Sequence, residues 1–294
     1  MFHSIFLLLL LPMAAFCQDI AGVRPAFTDR NLTIPPNHES IVSRMWMPGV
    51  DQGYIPQGVT VAEGNVIVAS YNSEGVTPKC RIYRMEPETM TITGHFDLGH
   101  YCGHAGGLAY AGLGRLFISD TWRLYEIDLT KAFSQTQSEE MLVRSYSLKF
   151  PLRGSFLAYH DGELWVGAYK KSGPGAVHAL PLQILETKDL PSGLGLEHVR
   201  MTLDIAAKSQ GATFDHEGYL WLSQSNSQFG RIQKVNPRNG HVLAEYPVVA
   251  GIEDLGFDHR GLLWSAGEAG TRKWHNWPTF FPLIFAIDPK ILKP

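Results

Sequence analysis

Three acidic residues bracket one predicted β-hairpin near the C-terminal end of the sequence. The stretch reads GIEDLGFDHRGLLWSAGE, with Glu253 and Asp254 at the start of its first strand and Glu268 at the end of its second. Antiparallel pairing places the start of one strand beside the end of the next, so the three carboxyls should share one edge of a sheet. Such carboxyls can exchange protons with a substrate or hold a divalent cation, and they also occur simply as solvated strand ends.

The hairpin that carries these acids is the last of five similar units in a chain of 294 residues. Each unit has an apolar strand, a turn that contains Gly, and a second apolar strand that often carries Leu-Trp. One equivalent position recurs at intervals of 49, 49, 55 and 43 residues and is occupied by Gln57, Gly106, Ser155, Gln210 and Glu253. Intervals of this length are typical of β-propeller blades.

We therefore predict an all-β fold, a single β-propeller over residues 41–294 with five four-stranded blades. The fifth unit lacks a fourth strand, and the unassigned strand Ile41–Met47 can complete it and close the ring, which leaves no open sheet edge. Six blades are the alternative, and they would need one more unit around Leu185–Arg200, where the sequence looks like a loop. The Leu-Trp pairs of the second strands are predicted to be core.

The start of each first strand and the end of each second strand should meet at one mouth of the propeller channel. Polar residues recur at these positions and differ from unit to unit, which is typical of a small-molecule site. We predict catalytic roles for His104, Arg153 and Glu253, and substrate contacts from Gln57, Tyr71, Tyr169, Gln210, Gln224 and Trp274. His160, His216 and His259 fall at the opposite turns and are predicted to cap the hairpins by side-chain hydrogen bonds.

Carboxylate and amide oxygens at the mouth are ligands that suit Ca²⁺ or Mg²⁺ better than zinc. The predicted metal ligands are Asn72, Asp120, Asn226, Asp254 and Glu268. A polar, water-filled channel without an ion is the alternative interpretation, with Arg153 or Lys208 neutralising Glu253.

The first 17 residues are predicted to be a secretory signal, because a short apolar run is followed by small residues. A lipoprotein anchor at Cys17 is the competing interpretation. Residues 18–40 are predicted to be an extended segment, and the mature protein to be secreted or periplasmic with no membrane span. Export would permit a disulfide between Cys80 and Cys102, and two free buried thiols are the alternative.

Charge and composition bear on the partners. The net charge is −3 and there is no basic cluster beyond Lys170-Lys171, which argues against nucleic acid as a partner. A small-molecule ligand is expected instead. The segment at residues 271–282, TRKWHNWPTFFP, is rich in aromatic residues and is predicted to cover the mouth as a lid or to bind a sugar or a protein partner.

Several motifs resemble one family of propellers: Pro56-Gln57-Gly58, HAGGLAY at 104–110, RLFISD at 115–120 and QGATFDHEGYLWLSQSN at 210–226. They resemble the calcium-dependent six-bladed superfamily of senescence marker protein and gluconolactonase, also described as calcium-dependent phosphotriesterases, and more distantly streptogramin lyase. The stretch EDLGFDHRGLLWSAGE is similar to phytase-like extracellular esterases. The resemblance implies a Glu ligand in the first blade, where this chain has Gln57, so its acidic ligands would lie in the last blade instead.

Three functions follow as expectations. The first is a secreted metal-dependent hydrolase of the lactonase or esterase type, in which Glu253, Asp254 and Glu268 hold an ion or a water, His104 carries a proton and Arg153 orients an anionic substrate. The second is a propeller that binds a ligand or a protein without catalysis, because one fold serves many functions. The third is a lyase that abstracts a proton with His104 and a carboxylate.

Overall fold

The computed structural model describes residues 20–75, 79–99, 101–134, 141–187 and 193–294. The predicted signal at residues 1–17 lies outside these residues. The described chain forms five antiparallel sheets of four strands each. No helix in the described part of the chain is long and apolar enough to cross a membrane.

The strands follow the repeat. Strand β1 (Ile41–Trp46) precedes blade 1, which is made of β2 (Tyr54–Ala62), β3 (Asn65–Asn72), β4 (Cys80–Glu86) and β5 (Thr91–Leu98). Blade 2 contains β6 (Gly107–Tyr110), β7 (Arg115–Asp120), β8 (Arg123–Asp128) and β9 (Leu142–Ser147). Blade 3 contains β10 (Phe156–His160), β11 (Glu163–Gly167), β12 (Gly175–Pro181) and β13 (Met201–Ile205).

Blade 4 contains β14 (Ser209–Phe214), β15 (Leu220–Ser225), β16 (Gly230–Val235) and β17 (Val242–Val248). Blade 5 contains β18 (Ile252–Phe257), β19 (Leu263–Gly267), β20 (Leu283–Ile287) and β1. The helices are short: α1 (Leu129–Ala132), α2 (Gln183–Glu186), and 3-10 turns at His38–Ser40, Val50–Gln52, Leu196–His198, Arg272–Trp274 and Pro289–Ile291.

The five-bladed propeller predicted from the repeat is confirmed, and so is its closure by the N-terminal strand. Strand β1 pairs antiparallel with β20, and Trp46 lies opposite Leu283. The six-bladed alternative needs a hairpin around residues 185–200, and the described residues there form the end of α2 and the turn Leu196–His198 instead.

The tryptophans of the Leu-Trp pairs are core residues, as predicted: Trp165, Trp221 and Trp264 are buried between blades. Two of them, Trp221 and Trp264, also donate their indole N–H to an aspartate that closes the hairpin turn. Asp258 Oδ1 accepts the backbone N–H groups of residues 260 and 262, while its Oδ2 accepts the indole N–H of Trp264. Asp215 does the same for Trp221 in blade 4.

The prediction that the turn histidines cap these hairpins is therefore wrong. An ionised carboxylate has several acceptor lone pairs and can serve two backbone donors and an indole at once, so Asp does this work. His160 instead stacks on Phe214 at 4.3 Å between ring centroids.

The innermost strands of neighbouring blades approach one another closely around the axis. A Cβ placed on Gly107 would lie 2.2 Å from the backbone nitrogen of Leu157, and one on Gly211 would lie 2.3 Å from the Cα of Asp254. Only glycine fits at such contacts between backbones. The ring is therefore narrow at its centre.

Three inner strands begin with an irregular register. The pairing shifts between Ile252 and Leu255 in β18, between Pro56 and Val59 in β2, and between Ser209 and Gly211 in β14. A bulge of this kind interrupts the alternation of side chains along a strand and redirects them. In blade 5 it affects the two consecutive acids Glu253 and Asp254.

Candidate functional site

The mouth of the channel is the end at which the innermost strands β2, β6, β10, β14 and β18 begin. The second strand of each blade ends there because it runs antiparallel to the first. The loops between β3 and β4, β5 and β6, and β19 and β20 also lie at this end. The site is built from these elements.

At the centre of the mouth, the carboxyls of Glu253 and Glu268 lie within hydrogen-bonding reach of each other, and each acts on the pKa of the other. Both residues are buried, with 2% and 6% of their surface exposed. Two carboxyls can make this bond only if one of them carries a proton. The prediction that Glu253 and Glu268 face each other at one mouth is what the geometry shows.

Burial, and then the charge of Glu268 beside it, raise the pKa of Glu253 well above its ordinary value. Gln210 Nε2 lies 3.2 Å from Glu253 Oε1 and donates a hydrogen bond to it, while the backbone oxygen of Glu253 accepts the hydroxyl of Ser223 at 2.6 Å. These contacts hold the backbone and one carboxyl oxygen in place. Because the contact between the two carboxyls raises the pKa of Glu253 and lowers that of Glu268, Glu253 is the member of the pair that holds the shared proton.

Burial raises the pKa of Glu268 to about 7. The rise is limited by the proton that Glu253 donates, by Trp274, by the positive charge of Lys273 and by Gln57, all of which favour the ionised form. The buried Trp274 indole nitrogen has no partner with hydrogen-bond geometry among the described residues, so it acts on Glu268 as a nearby dipole. Glu268 can therefore gain and lose a proton near neutral pH.

Beside the pair, Tyr71 and Lys273 form a second polar contact. Lys273 Nζ donates to the hydroxyl of Tyr71 at 2.9 Å, and its ammonium lies 4.6 Å from the centre of the Trp274 ring. Burial, and then the charges of Glu268 and Glu253, raise the pKa of Tyr71 far above its ordinary value. Tyr71 is thus a neutral hydroxyl at any physiological pH.

His104 stacks on Tyr71, with 4.6 Å between the ring centroids. Burial lowers the pKa of His104, so the imidazole is neutral near pH 7, and the charge of Asp120 opposes this shift in part. The loop that carries His104 is tied to β4 by a disulfide between Cys80 and Cys102, with the sulfur atoms 2.11 Å apart. The predicted disulfide is thus present in the structure.

Two predicted residues lie further out. Tyr169 lies on the rim and is partly exposed. Partial burial, and then the charges of Glu268 and Glu253, raise the pKa of its hydroxyl. Arg153 is exposed and its guanidinium stacks over Trp122 at 4.3 Å from the ring centre. In the alternative interpretation of a polar channel, Arg153 or Lys208 would neutralise Glu253. The structure places Lys208 over Phe229, and Lys273 is a cation whose charge acts on the pair.

Asp254 points away from the mouth into the closed centre of the ring. Its side chain is fully buried and accepts backbone N–H groups from three other blades: Val59 at 3.2 Å, Leu108 at 3.1 Å and Ala212 at 3.0 Å. Burial raises the pKa of Asp254, and these backbone donors lower it in part. Asp254 therefore joins blade 5 to blades 1, 2 and 4.

The other predicted metal ligands also have backbone partners. Asn72 Oδ1 accepts from Glu74 N, Asn226 Oδ1 accepts from Gln228 N and Phe229 N, and Asp120 Oδ2 accepts from Gly103 N. Within the described ranges, no three His, Cys, Asp or Glu side chains are placed to hold a metal ion. Asp120, Asp254 and Glu268 thus do not come together, and metal binding stays a prediction.

Gln224 and the segment at residues 271–282 have surroundings that differ from those predicted. Gln224 donates its side-chain amide to Gln233 inside blade 4. In the segment at residues 271–282, Phe280 and Phe281 are buried in the core, so they form no exposed aromatic surface. Trp274 and Trp277 contact each other with their ring centroids 4.8 Å apart and their planes tilted by 33°. Arg30 donates to the backbone oxygens of residues 275, 277 and 278, which ties the segment to the N-terminal part of the chain.

Sequence reasoning missed Lys273 as a site residue. It lies in the same aromatic segment as Trp274, and the placement of that segment at the mouth was the available signal. The positive charge of a lysine in this segment would have been reason enough to place it near two buried carboxyls.

No protein family matches the sequence, and none of the curated proteins matches it either. The fold resembles solved structures. Glutaminyl cyclase from Myxococcus xanthus superposes with a TM-score of 0.55 at 13% identity, over 84% of this chain and 97% of that one. A luciferin-regenerating enzyme gives a TM-score of 0.45 at 10% identity, over 81% of this chain and 92% of that one. The likeness to the glutaminyl cyclase structure supports the β-propeller fold.

Proposed function

We propose that this protein is an enzyme that transfers acyl groups by acid–base catalysis, with the Glu253–Glu268 pair as its proton-transfer centre. The observation that carries the proposal is this hydrogen-bonded pair, buried at the channel mouth with one member that ionises near pH 7. A group whose pKa lies near the working pH is best suited to move protons in both directions. Two carboxyls that share a proton supply an acid and a base together.

The reaction cycle requires one proton in the pair. Ionised Glu268 takes a proton from the nucleophile as the nucleophile forms a bond to the carbonyl carbon. Protonated Glu253 gives its proton to the leaving atom as the bond from that atom to the carbon breaks. The proton on Glu268 then passes to Glu253 through their hydrogen bond, which restores the starting state.

Two substrate classes fit this cycle. With water as the nucleophile, a lactone or an ester is hydrolysed and the alkoxide oxygen leaves with the proton. With a substrate amine as the nucleophile and its own side-chain amide as the acyl group, the product is a ring and the leaving group is ammonia. The second reaction is the cyclisation of an N-terminal glutamine, the activity named for the Myxococcus xanthus structure.

Tyr71 and Lys273 supply the third requirement, a donor for the carbonyl oxygen as it gains negative charge. The Tyr71 hydroxyl accepts from Lys273 Nζ, so its own proton is available to a substrate oxygen. A hydroxyl polarised by an ammonium is a stronger donor than an isolated one. A metal ion, if one binds at the mouth, would act on the same oxygen as a Lewis acid.

Export belongs to the same proposal. The apolar N-terminal segment of the sequence and the Cys80–Cys102 disulfide support a secreted or periplasmic protein, because disulfides persist in oxidising compartments.

The test is a substrate panel with matched variants. Peptides with N-terminal glutamine are followed by ammonia release, and lactones and esters by acid release. We expect turnover in one class, and a loss of about 10²–10⁴-fold in kcat for Glu253→Gln, because Gln can keep the hydrogen bond to Glu268 but cannot supply the proton. Glu217→Gln, an exposed change at the far end of the channel, is the control and should retain full activity. Turnover that is equal in Glu253→Gln and wild type would remove the pair from the mechanism.

A further inference from the structure

Cations gather around the mouth. Among the described residues, no ion pair with a carboxylate is formed by Lys79, Arg123, Arg153, Lys208 or Lys273, all of which lie at this end. At the opposite end, by contrast, four cations each pair with at least one carboxylate: Arg115, Arg200, Lys234 and Arg260. The mouth therefore offers positive charge to an anionic ligand, although the whole chain has a net charge of −3.

A pocket of about 430 Å³ opens at the mouth end of blade 2. Its walls include the rings of Tyr101, His104 and Trp122, and His104 connects it to the centre of the mouth because it stacks on Tyr71. Trp122 is 43% exposed and Tyr101 is 38% exposed. Large aromatic side chains left exposed around one concave site usually contact a ligand.

Cations lie at both ends of this aromatic wall. Lys273 is bound to Tyr71 at the inner end, and Arg153 stacks over Trp122 at the outer end. Arg123 lines the pocket as well. The one carboxylate in the lining is Asp120, which accepts the backbone N–H of Gly103, and Arg123 is the one cation there. Arg153, over Trp122, and Lys273, whose charge acts on His104, add positive charge beside the lining.

We propose that this pocket is a subsite for a ring-bearing carboxylate. The ring of the ligand stacks on Trp122 and His104, and the carboxylate pairs with Lys273 or Arg153. The inference rests on the proposed function in taking Glu253 and Glu268 as the reacting centre, and it assigns the substrate class: an anionic acyl compound with an aromatic or alicyclic ring. The unpaired cations would also speed the approach of such an anion at low salt.

The experiment compares two fluorescent probes with the same ring and opposite charge, pyrenebutyrate and pyrenebutylammonium, by fluorescence anisotropy with the full-length mature protein. We expect the anion to bind at least about tenfold more tightly than the cation, and this preference to shrink as salt rises, because salt screens exposed charges. Lys273→Met should weaken the binding of pyrenebutyrate by about tenfold, and Arg153→Gln or Trp122→Ala should weaken it by a smaller factor.

Arg200→Gln is the matched control, since it removes a cation from the opposite end, and it should leave both probes unchanged. Equal affinity for the two probes would overturn the proposal. So would wild-type affinity for pyrenebutyrate in Lys273→Met and Trp122→Ala proteins whose melting temperatures show that they are folded. Glu253→Gln separates this inference from the proposed function: it should stop turnover and still bind pyrenebutyrate, so the failure of either result points to one proposal alone.

Discussion

Glu253 and Asp254 are neighbours in the chain, but they lie in two regions of the molecule that give a carboxyl different partners. At the axis, Asp254 receives backbone N–H groups from three inner strands. At the mouth, Glu253 faces another carboxyl and receives one side-chain amide. Backbone donors fix a carboxyl in a structural role, whereas a second carboxyl forces the two to share a proton. Both carboxyls are buried, so burial does not distinguish them. Their partners do: those of Asp254 fit a structural role, and those of Glu253 fit the proposed proton transfer.

The largest effect is expected at the axis. Asp254→Asn puts an amide where the inner strands present N–H groups, so at least one buried donor loses its acceptor. The new NH2 group and at least one backbone N–H are then both without an acceptor. We expect a loss of about 2–6 kcal/mol in the free energy of unfolding, because each unpaired buried donor costs about 1–3 kcal/mol. Urea denaturation measures it. Asp161→Asn, an exposed position with positive φ that Asn adopts readily, is the control, and a loss as small as in that control would contradict the structural role of Asp254.

A smaller effect is expected from the pH dependence of the mouth. The folded pKa values of Glu253 and Glu268 lie above that of an exposed glutamate, so between about pH 4.5 and 7 the folded protein keeps protons that the unfolded chain has lost. The contribution of Glu268 to stability is therefore complete below about pH 4.5 and is lost as pH rises through about 7, and the raised pKa of Glu253 acts in the same direction. We expect wild type to lose about 1–3 kcal/mol relative to Glu253→Gln/Glu268→Gln over this range.

The comparison between wild type and the double variant isolates the pair from other titrating groups. Urea midpoints are measured for both proteins from pH 4.5 to 8. Parallel profiles would show that the two carboxyls ionise normally, and the proposed proton centre would then have no basis.

The smallest effect is expected from divalent cations. An ion that binds the native state adds about 2.7 kcal/mol at a concentration one hundred times its Kd. Because the oxygens of Asn72, Asp120 and Asn226 accept backbone hydrogen bonds, we expect calcium and magnesium to raise the melting temperature no more than sodium chloride of equal ionic strength. A saturable rise in melting temperature with either ion would support the metal site predicted from the sequence.

The fold and the centre of the site were accessible from the sequence, because both depend on the repeat. Five copies of one hairpin predicted the blades, and strand polarity alone predicted that Glu253 and Glu268 meet. The bulge at the start of β18 was not accessible: alternation in a regular strand would send Glu253 and Asp254 to opposite faces, whereas the shifted register buries both. The same limit explains why Asp254 was predicted as a metal ligand.

Side-chain partners from distant parts of the chain were also beyond the sequence. Lys273 reaches Tyr71 across 202 positions, and no local pattern marks that contact. Asn72 and Asn226 were chosen as ligands because they end second strands, and an Asn at that position serves equally well to close a turn through its side-chain oxygen.

The pairing of β1 with β20 has a consequence for the order of folding. The strand Ile41–Trp46 is synthesised before any blade, and its partner Leu283–Ile287 follows after all five inner strands. Blades 1 to 4 can form from strands adjacent in the chain, while blade 5 needs two segments separated by nearly the whole sequence. Contacts this distant are slow to form, because the loop between them must close first. The last blade, which holds the carboxyl pair, is thus the one whose assembly waits for the complete chain.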